Sequence, residues 1–119
     1  MAQIDTFGKL PSVIKTDVLI SAICAYGEKA QEDMAIEEMS ELIKALLKYR
    51  RAVNADPVHL PKNAPELIEA IREEMADVII MLSQLLIIYG DYSKVDEYIQ
   101  FKTERLAKRL EEKYREENT

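Results

Sequence analysis

Residues that interrupt helices are scarce in this sequence. Three glycines and four prolines, in a composition that is 48% hydrophobic and 32% charged, leave few breaks and favour a soluble all-α protein. Cysteine occurs once: Cys24, in an apolar run, excludes an intrachain disulfide and points to a reducing compartment, the cytoplasm. An excess of positive charge is missing too. The net charge of −6 argues against a nucleic-acid binder that works through a basic surface, because phosphate contacts need clustered Lys and Arg. An anion bound by such a chain needs a cation as intermediary. No apolar run is long: VIIMLSQLLIIY, from Val78 to Tyr89, falls short of the ~18 residues that span a bilayer. It also contains Ser83 and Gln84 and reads as a buried helix. The N-terminal MAQIDTFGKLPSVIK lacks the apolar core of a signal peptide.

What is present organises into helices. A length of 119 residues suits one domain, with residues 1–15 as an N-terminal arm and 16–119 as a single helical domain. Thr16 is a candidate N-cap for a first helix, DVLISAICAY, and Gly27 sits where a left-handed C-terminal cap belongs. A second helix runs from Glu28 to about Ala52. The segment VNADPVHLPKN reads as a loop, with Asn63 capping a third helix and Pro65 just inside it. That helix runs to Tyr89. YGDYS breaks the chain, and Ser93 with Asp96 has capping-box spacing for a fourth helix to about Glu116. The expectation is a four-helix, bundle-like fold.

The acids on these helices are not all solvated. At about 100° per residue, Ile36, Met39, Leu42, Ile43, Leu46 and Leu47 form one arc of the second helix, with Glu37, Lys44, Lys48 and Arg51 roughly opposite. Glu38 and Glu41 fall at the flank of the arc, one turn apart. On the third helix Glu74 projects from the stripe Leu67, Ile71, Val78, Met81 and Leu85, and Asp77 lies one step round. Four inward carboxylates repel one another and cost free energy to desolvate. Two sources of positive charge are at hand: a hard divalent cation, Mg²⁺ with Mn²⁺ as substitute, or basic side chains of the fourth helix. There Lys102 sits within the stripe Val95, Ile99, Leu106 and Leu110, and Arg105 and Arg109 flank it. A di-iron carboxylate site wants Glu-x-x-His on two helices, and the single histidine, His59, lies in the loop.

The pattern EExxE on one helix and ExxD on the next resembles the all-α NTP pyrophosphatases, the MazG-like group. EEMSE (Glu37, Glu38, Glu41) and EMAD (Glu74, Asp77) match both motifs, and AYGEKAQEDMAIEEMSEL and FKTERL resemble the family's flanking segments, over roughly Ala22 to Leu110. The spacer between the motifs is long for compact members. The resemblance implies a MazG-type fold assembled as a homodimer or dimer of dimers. It also implies Mg²⁺-dependent hydrolysis of a nucleoside triphosphate to monophosphate and pyrophosphate; the charge balance and the short apolar runs, for their part, predict no nucleic-acid or membrane partner. In that reading Glu38, Glu41, Glu74 and Asp77 are metal ligands and Glu37 and Glu38 serve catalysis. Lys102 and Arg105 hold the phosphates, and Gln31 hydrogen-bonds the base. Two alternatives stand beside it: a phosphoribosyl-ATP pyrophosphatase-like enzyme, and a non-enzymatic helical interaction module whose inward acids pair with Lys102 and Arg105. The apolar run from Val78, hydrophobic nearly all round, is expected to meet a partner subunit.

Overall fold

Breaks in the chain occur where glycine, proline and aspartate place them. The computed structural model describes residues 14–118, and these form four helices: α1 Thr16–Tyr26, α2 Glu28–Ala55, α3 Ala64–Tyr89 and α4 Tyr92–Glu117. No strand occurs among the described residues, so the fold is all-α. The expected arm falls mostly outside the described residues. The chain divides into two units, with the boundary between Ile88 and Tyr89.

Each helix end has a local cause. Lys15, in extended conformation, caps α1 through its carbonyl, which accepts from the N–H groups of Val18 and Leu19. Thr16 is therefore the first helical residue and not the N-cap expected for it. Gly27 joins α1 to α2 at φ 94° and ψ 153°, a region essentially closed to residues with a Cβ. It has the positive φ expected of it, without the left-handed helical ψ, and its N–H donates to the Ile23 carbonyl. α2 continues three residues past the expected Ala52 because nothing opposes it before Asp56. That residue precedes Pro57, is disfavoured in the helical region, and takes φ −142° and ψ 96°. Asp56 Oδ1 then accepts from the N–H of Val58 (3.0 Å) and of His59 (3.2 Å), and Oδ2 meets His59 Nδ1 at 3.1 Å.

In the first unit α1 packs on α2, and the buried apolar residues are Leu19, Ala35, Ala64, Leu67, Val78 and Met81. The α3 stripe lies inward as expected, with Ile71 and Leu85 half-buried. The α2 arc does so only in part, at the half-buried Met39 and Leu42. Its buried positions are Gln31 and Ala35, while Ile36, Ile43, Leu46 and Leu47 are exposed. The inward face of α2 is thus small and polar, about a quarter-turn from its most hydrophobic face.

The second unit is α4. Its N-cap is Asp91, at φ 50° and ψ 57°, whose side chain accepts from the Lys94 N–H. Ser93 donates its hydroxyl to Asp91 Oδ1 at 3.0 Å, so the expected Ser93–Asp96 box gives way to a cap two residues earlier. α4 contains no buried residue, and Val95, Ile99, Leu106 and Leu110 are all exposed.

The Asp56 turn yields a prediction. Hydrogen bonds from Val58 and His59 hold the Asp56 carboxyl below its ordinary value of 3.8. A lowered folded pKa gives stability that is present above the unfolded value and lost as pH falls through the folded one. Hydrogen exchange should show the Val58 and His59 amides protected at neutral pH, losing that protection below pH 3.8 in wild type, and at every pH in Asp56→Ala.

Candidate metal centre

The loop between α2 and α3 folds the second helix back on the first. Glu38 lies seventeen residues before the end of α2, and Asp77 thirteen after the start of α3. Their side chains meet only because the two helices run in opposite directions. Glu38, Glu74 and Asp77 each offer an oxygen, and all these atoms lie within 4.8 Å of one another. Glu38 and Glu74 are half-buried and Asp77 is exposed. The i, i+3 spacing of Glu74 and Asp77 sets them one above the other on α3, and a single residue of α2 reaches both.

The cluster is electrostatically loaded. Burial, followed by the charges of Asp77, Glu74, Glu37 and Glu41, raises the Glu38 carboxyl above its ordinary value of 4.5. Oε2 of Glu74 is removed from solvent and accepts no hydrogen bond from the described residues. Buried polar atoms are normally satisfied, and a carboxylate oxygen left unpaired is costly. A donor set of carboxylate oxygens, with one oxygen buried and unpaired, fits a hard divalent cation, Mg²⁺ or Mn²⁺.

The other candidate residues are distributed around this group. Glu41 lies outside it and pairs with Lys44 at 3.2 Å, being turned about 60° further round α2 than Glu38. Its charge still acts on Glu38. Glu37 is exposed and lines a cavity of about 580 Å³ with Tyr26, Ala30, Gln31, Asp33 and Met34. Gln31 is buried at 7% exposure, two turns before Glu38 on the same face. Lys102 and Arg105 are exposed on α4, in the second unit, and the Arg105 guanidinium stands 5.9 Å from the Phe101 ring centre. One residue was not foreseen. Gln84, read from sequence only as an interruption of an apolar run, is 4% exposed, and its Oε1 also accepts no hydrogen bond from the described residues. The available signal was its position, seven residues after Asp77.

Comparison with protein-family models, curated proteins and solved structures gives no match for this chain. The two motifs and the geometry of their side chains carry the functional reading.

Neutralising one acid separates a metal centre from an internal ion pair. In chelator, Glu74→Gln should melt at or above the wild-type temperature, since it removes repulsion, and it should lose most of the Mg²⁺-induced stabilisation. For one site that stabilisation is about 2.7 kcal/mol at a hundredfold excess over Kd. Were Glu74 half of a buried ion pair, the metal-free variant would instead lose roughly 3–5 kcal/mol. The raised Glu38 carboxyl sets the pH dependence. A raised folded pKa gives stability that is present below the unfolded value and lost as pH rises through the folded one. Metal-free wild type should therefore lose stability relative to Glu38→Gln as pH rises above 4.5. The Mg²⁺ increment should grow over the same interval, because ligands must be ionised to bind.

Proposed function

We propose that this chain is a Mg²⁺-dependent nucleoside triphosphate pyrophosphohydrolase, cleaving NTP or dNTP to the monophosphate and pyrophosphate. The observation that carries the reading is the convergence of Glu38, Glu74 and Asp77 from two helices within 4.8 Å. A triphosphate approaching a chain of net charge −6 needs a cation between carboxylate and phosphate oxygens. Bound by these three side chains, Mg²⁺ or Mn²⁺ supplies neutralisation of the phosphate charge and Lewis acidity at phosphorus. Glu41 joins them when its exposed pair with Lys44 opens.

The remaining chemistry falls to the chain's own groups. Water oxygen forms a bond to the α phosphorus, and the bond from that phosphorus to the α–β bridging oxygen breaks, so the bridging oxygen leaves with pyrophosphate. The water proton passes to Glu37, the acid of the Glu37–Glu38 pair that is not assigned to the metal. Glu37 orients the attacking water, and Lys102 and Arg105 of α4 grip the phosphate tail. The setting is the reducing cytoplasm, consistent with a lone cysteine.

A second copy of the chain completes the fold in this reading, as a homodimer or dimer of dimers. The exposed Ile36, Ile43, Leu46 and Leu47 of α2 and the exposed stripe of α4 are the surfaces it covers. The same stripe favours the rival reading of a non-enzymatic helical interaction module, which predicts melting independent of Mg²⁺ and no hydrolysis.

Chromatography of a triphosphate digest should show monophosphate and pyrophosphate in equal amounts, abolished by chelator. Diphosphate with orthophosphate would exclude attack at the α phosphorus. Lys102→Ala and Arg105→Ala should raise KM or lower kcat about tenfold or more while leaving the Mg²⁺ melting shift in place. In sedimentation, wild type should run as a dimer or tetramer and Ile43→Glu with Leu47→Glu as a monomer. A monomeric wild type would remove the proposed assembly.

A further inference from the structure

The cavity of about 580 Å³ in the first unit lies where α1 gives way to α2, with Tyr26, Ala30, Gln31, Asp33, Met34 and Glu37 in its wall. Tyr26 ends α1, and the other five belong to the first turns of α2. Asp33 and Glu37 are one turn apart on the same helix face, a like-charged i, i+4 pair whose members repel. Neither forms an ion pair among the described residues, and Lys29, one turn before Asp33, does not pair with it. Gln31 is the buried member of the wall, at 7% exposure. Its backbone N–H donates to the Gly27 carbonyl, while its carboxamide makes no hydrogen bond with the described residues. Buried amides normally have partners.

These groups select a ligand by chemistry. An anion is repelled by the two acids, and a neutral molecule leaves their repulsion in place. A hard divalent cation takes a full shell of oxygen ligands, which two exposed carboxylates among apolar side chains do not supply; the acids whose oxygens converge are Glu38, Glu74 and Asp77. An alkylammonium uses every group present. Carboxylates accept its N–H bonds with charge assistance, and the face of Tyr26, a ring 72% exposed, attracts a cation. Methylene groups match Ala30 and Met34, and a second nitrogen finds an acceptor in the Gln31 carboxamide oxygen. The volume lies in the range of small-molecule sites, which combine apolar walls with a few placed polar groups.

We propose that this cavity binds an aliphatic diamine or polyamine. One ammonium group sits between Asp33 and Glu37 against the Tyr26 ring, the methylene chain lies along Met34, and a second N–H donates to Gln31 Oε1. The site is separate from the carboxylate cluster, and the proposal does not depend on hydrolysis of a triphosphate.

Amide chemical shifts of the full chain, followed with Mg²⁺ present while putrescine is added, test it. Saturable shifts should appear within residues 26–37, and the diol of the same chain length should produce none. Asp33→Asn and Gln31→Met should each raise the Kd for putrescine about fivefold or more, and Tyr26→Leu about threefold. Shifts that do not saturate, shifts centred on residues 74–77, or a diol that binds as well as the diamine would overturn the proposal. Wild-type affinity in Asp33→Asn or Gln31→Met would do the same. A lysyl peptide that binds more tightly than putrescine would replace the small amine by a protein partner and so overturn the assignment. Asp33 is exposed, so Asp33→Asn decides the matter alone should Gln31→Met fail to fold.

Discussion

Mutual repulsion of Glu38, Glu74 and Asp77 is the constraint on which the first unit depends. Their oxygens lie within 4.8 Å of one another, one of them shielded and unpaired. Nothing in such a group favours its own assembly: burial, and then the charges of Asp77 and Glu74, raise the proton affinity of Glu38. The helices must hold it together from outside. α2 and α3 do so by length: each runs unbroken through the level of the cluster for several turns on either side. The backbone positions of the acids are thus fixed by continuous hydrogen-bond ladders and not by loops.

The rotation of α2 about its axis is the second element of this arrangement. A helix normally buries its most apolar face, and for α2 that face would be Ile36, Ile43 and Leu47. Here it buries Gln31 and Ala35 instead, and that rotation aims Glu38 at α3. Ala35, the most deeply buried of the core residues at 1% exposure, occupies little space one turn from Glu38. The carboxylate site and the uncovered apolar arc are therefore two results of one rotation.

Much of this was legible in the sequence, because the signals were strong and local. Scarce glycine and proline, with capping residues at the breaks, mark four helices, and the i, i+3 spacing of Glu74 and Asp77 on an apolar stripe marks the inward acids of α3. Errors arose where two local signals competed. Thr16 and Ser93 both have capping chemistry, but the chain uses the carbonyl of Lys15 and the side chain of Asp91. Of the apolar arc of α2 only Met39 and Leu42 are half-buried while Ile36, Ile43, Leu46 and Leu47 are exposed, since hydrophobic patterning cannot say whether a face meets the same chain or remains outside it. Glu41 shares with Glu38 a place at the flank of the apolar arc and a spacing of one turn. An offset of about 60° round the helix leaves the half-buried Glu41 outside the cluster, paired with Lys44. Gln84 could not be assigned from pattern, because the burial of a lone amide in an apolar run, 4% exposed here, is decided by the folded chain.

The second unit follows the same logic. α4 has a well-formed apolar stripe and no buried residue, so its stability as a helix rests on local terms: the Asp91 cap, the Lys94–Glu97 pair at 3.4 Å and cation–π contacts of Lys94 with Tyr98 and Arg105 with Phe101. Such terms contribute tenths of a kcal/mol each up to about 1 kcal/mol. Isolated helices are marginal in water even when well capped, and most helical stability in proteins comes from packing an amphipathic face. Covering the α4 stripe is accordingly the step that would stabilise the second unit beyond those local terms. On the proposed function it is also the step that matters to chemistry, since Lys102 lies within that stripe and Arg105 beside it. Covering Val95, Ile99, Leu106 and Leu110 would restrict where both cations point, coupling the burial that stabilises α4 to the placement of the charges assigned to the phosphates.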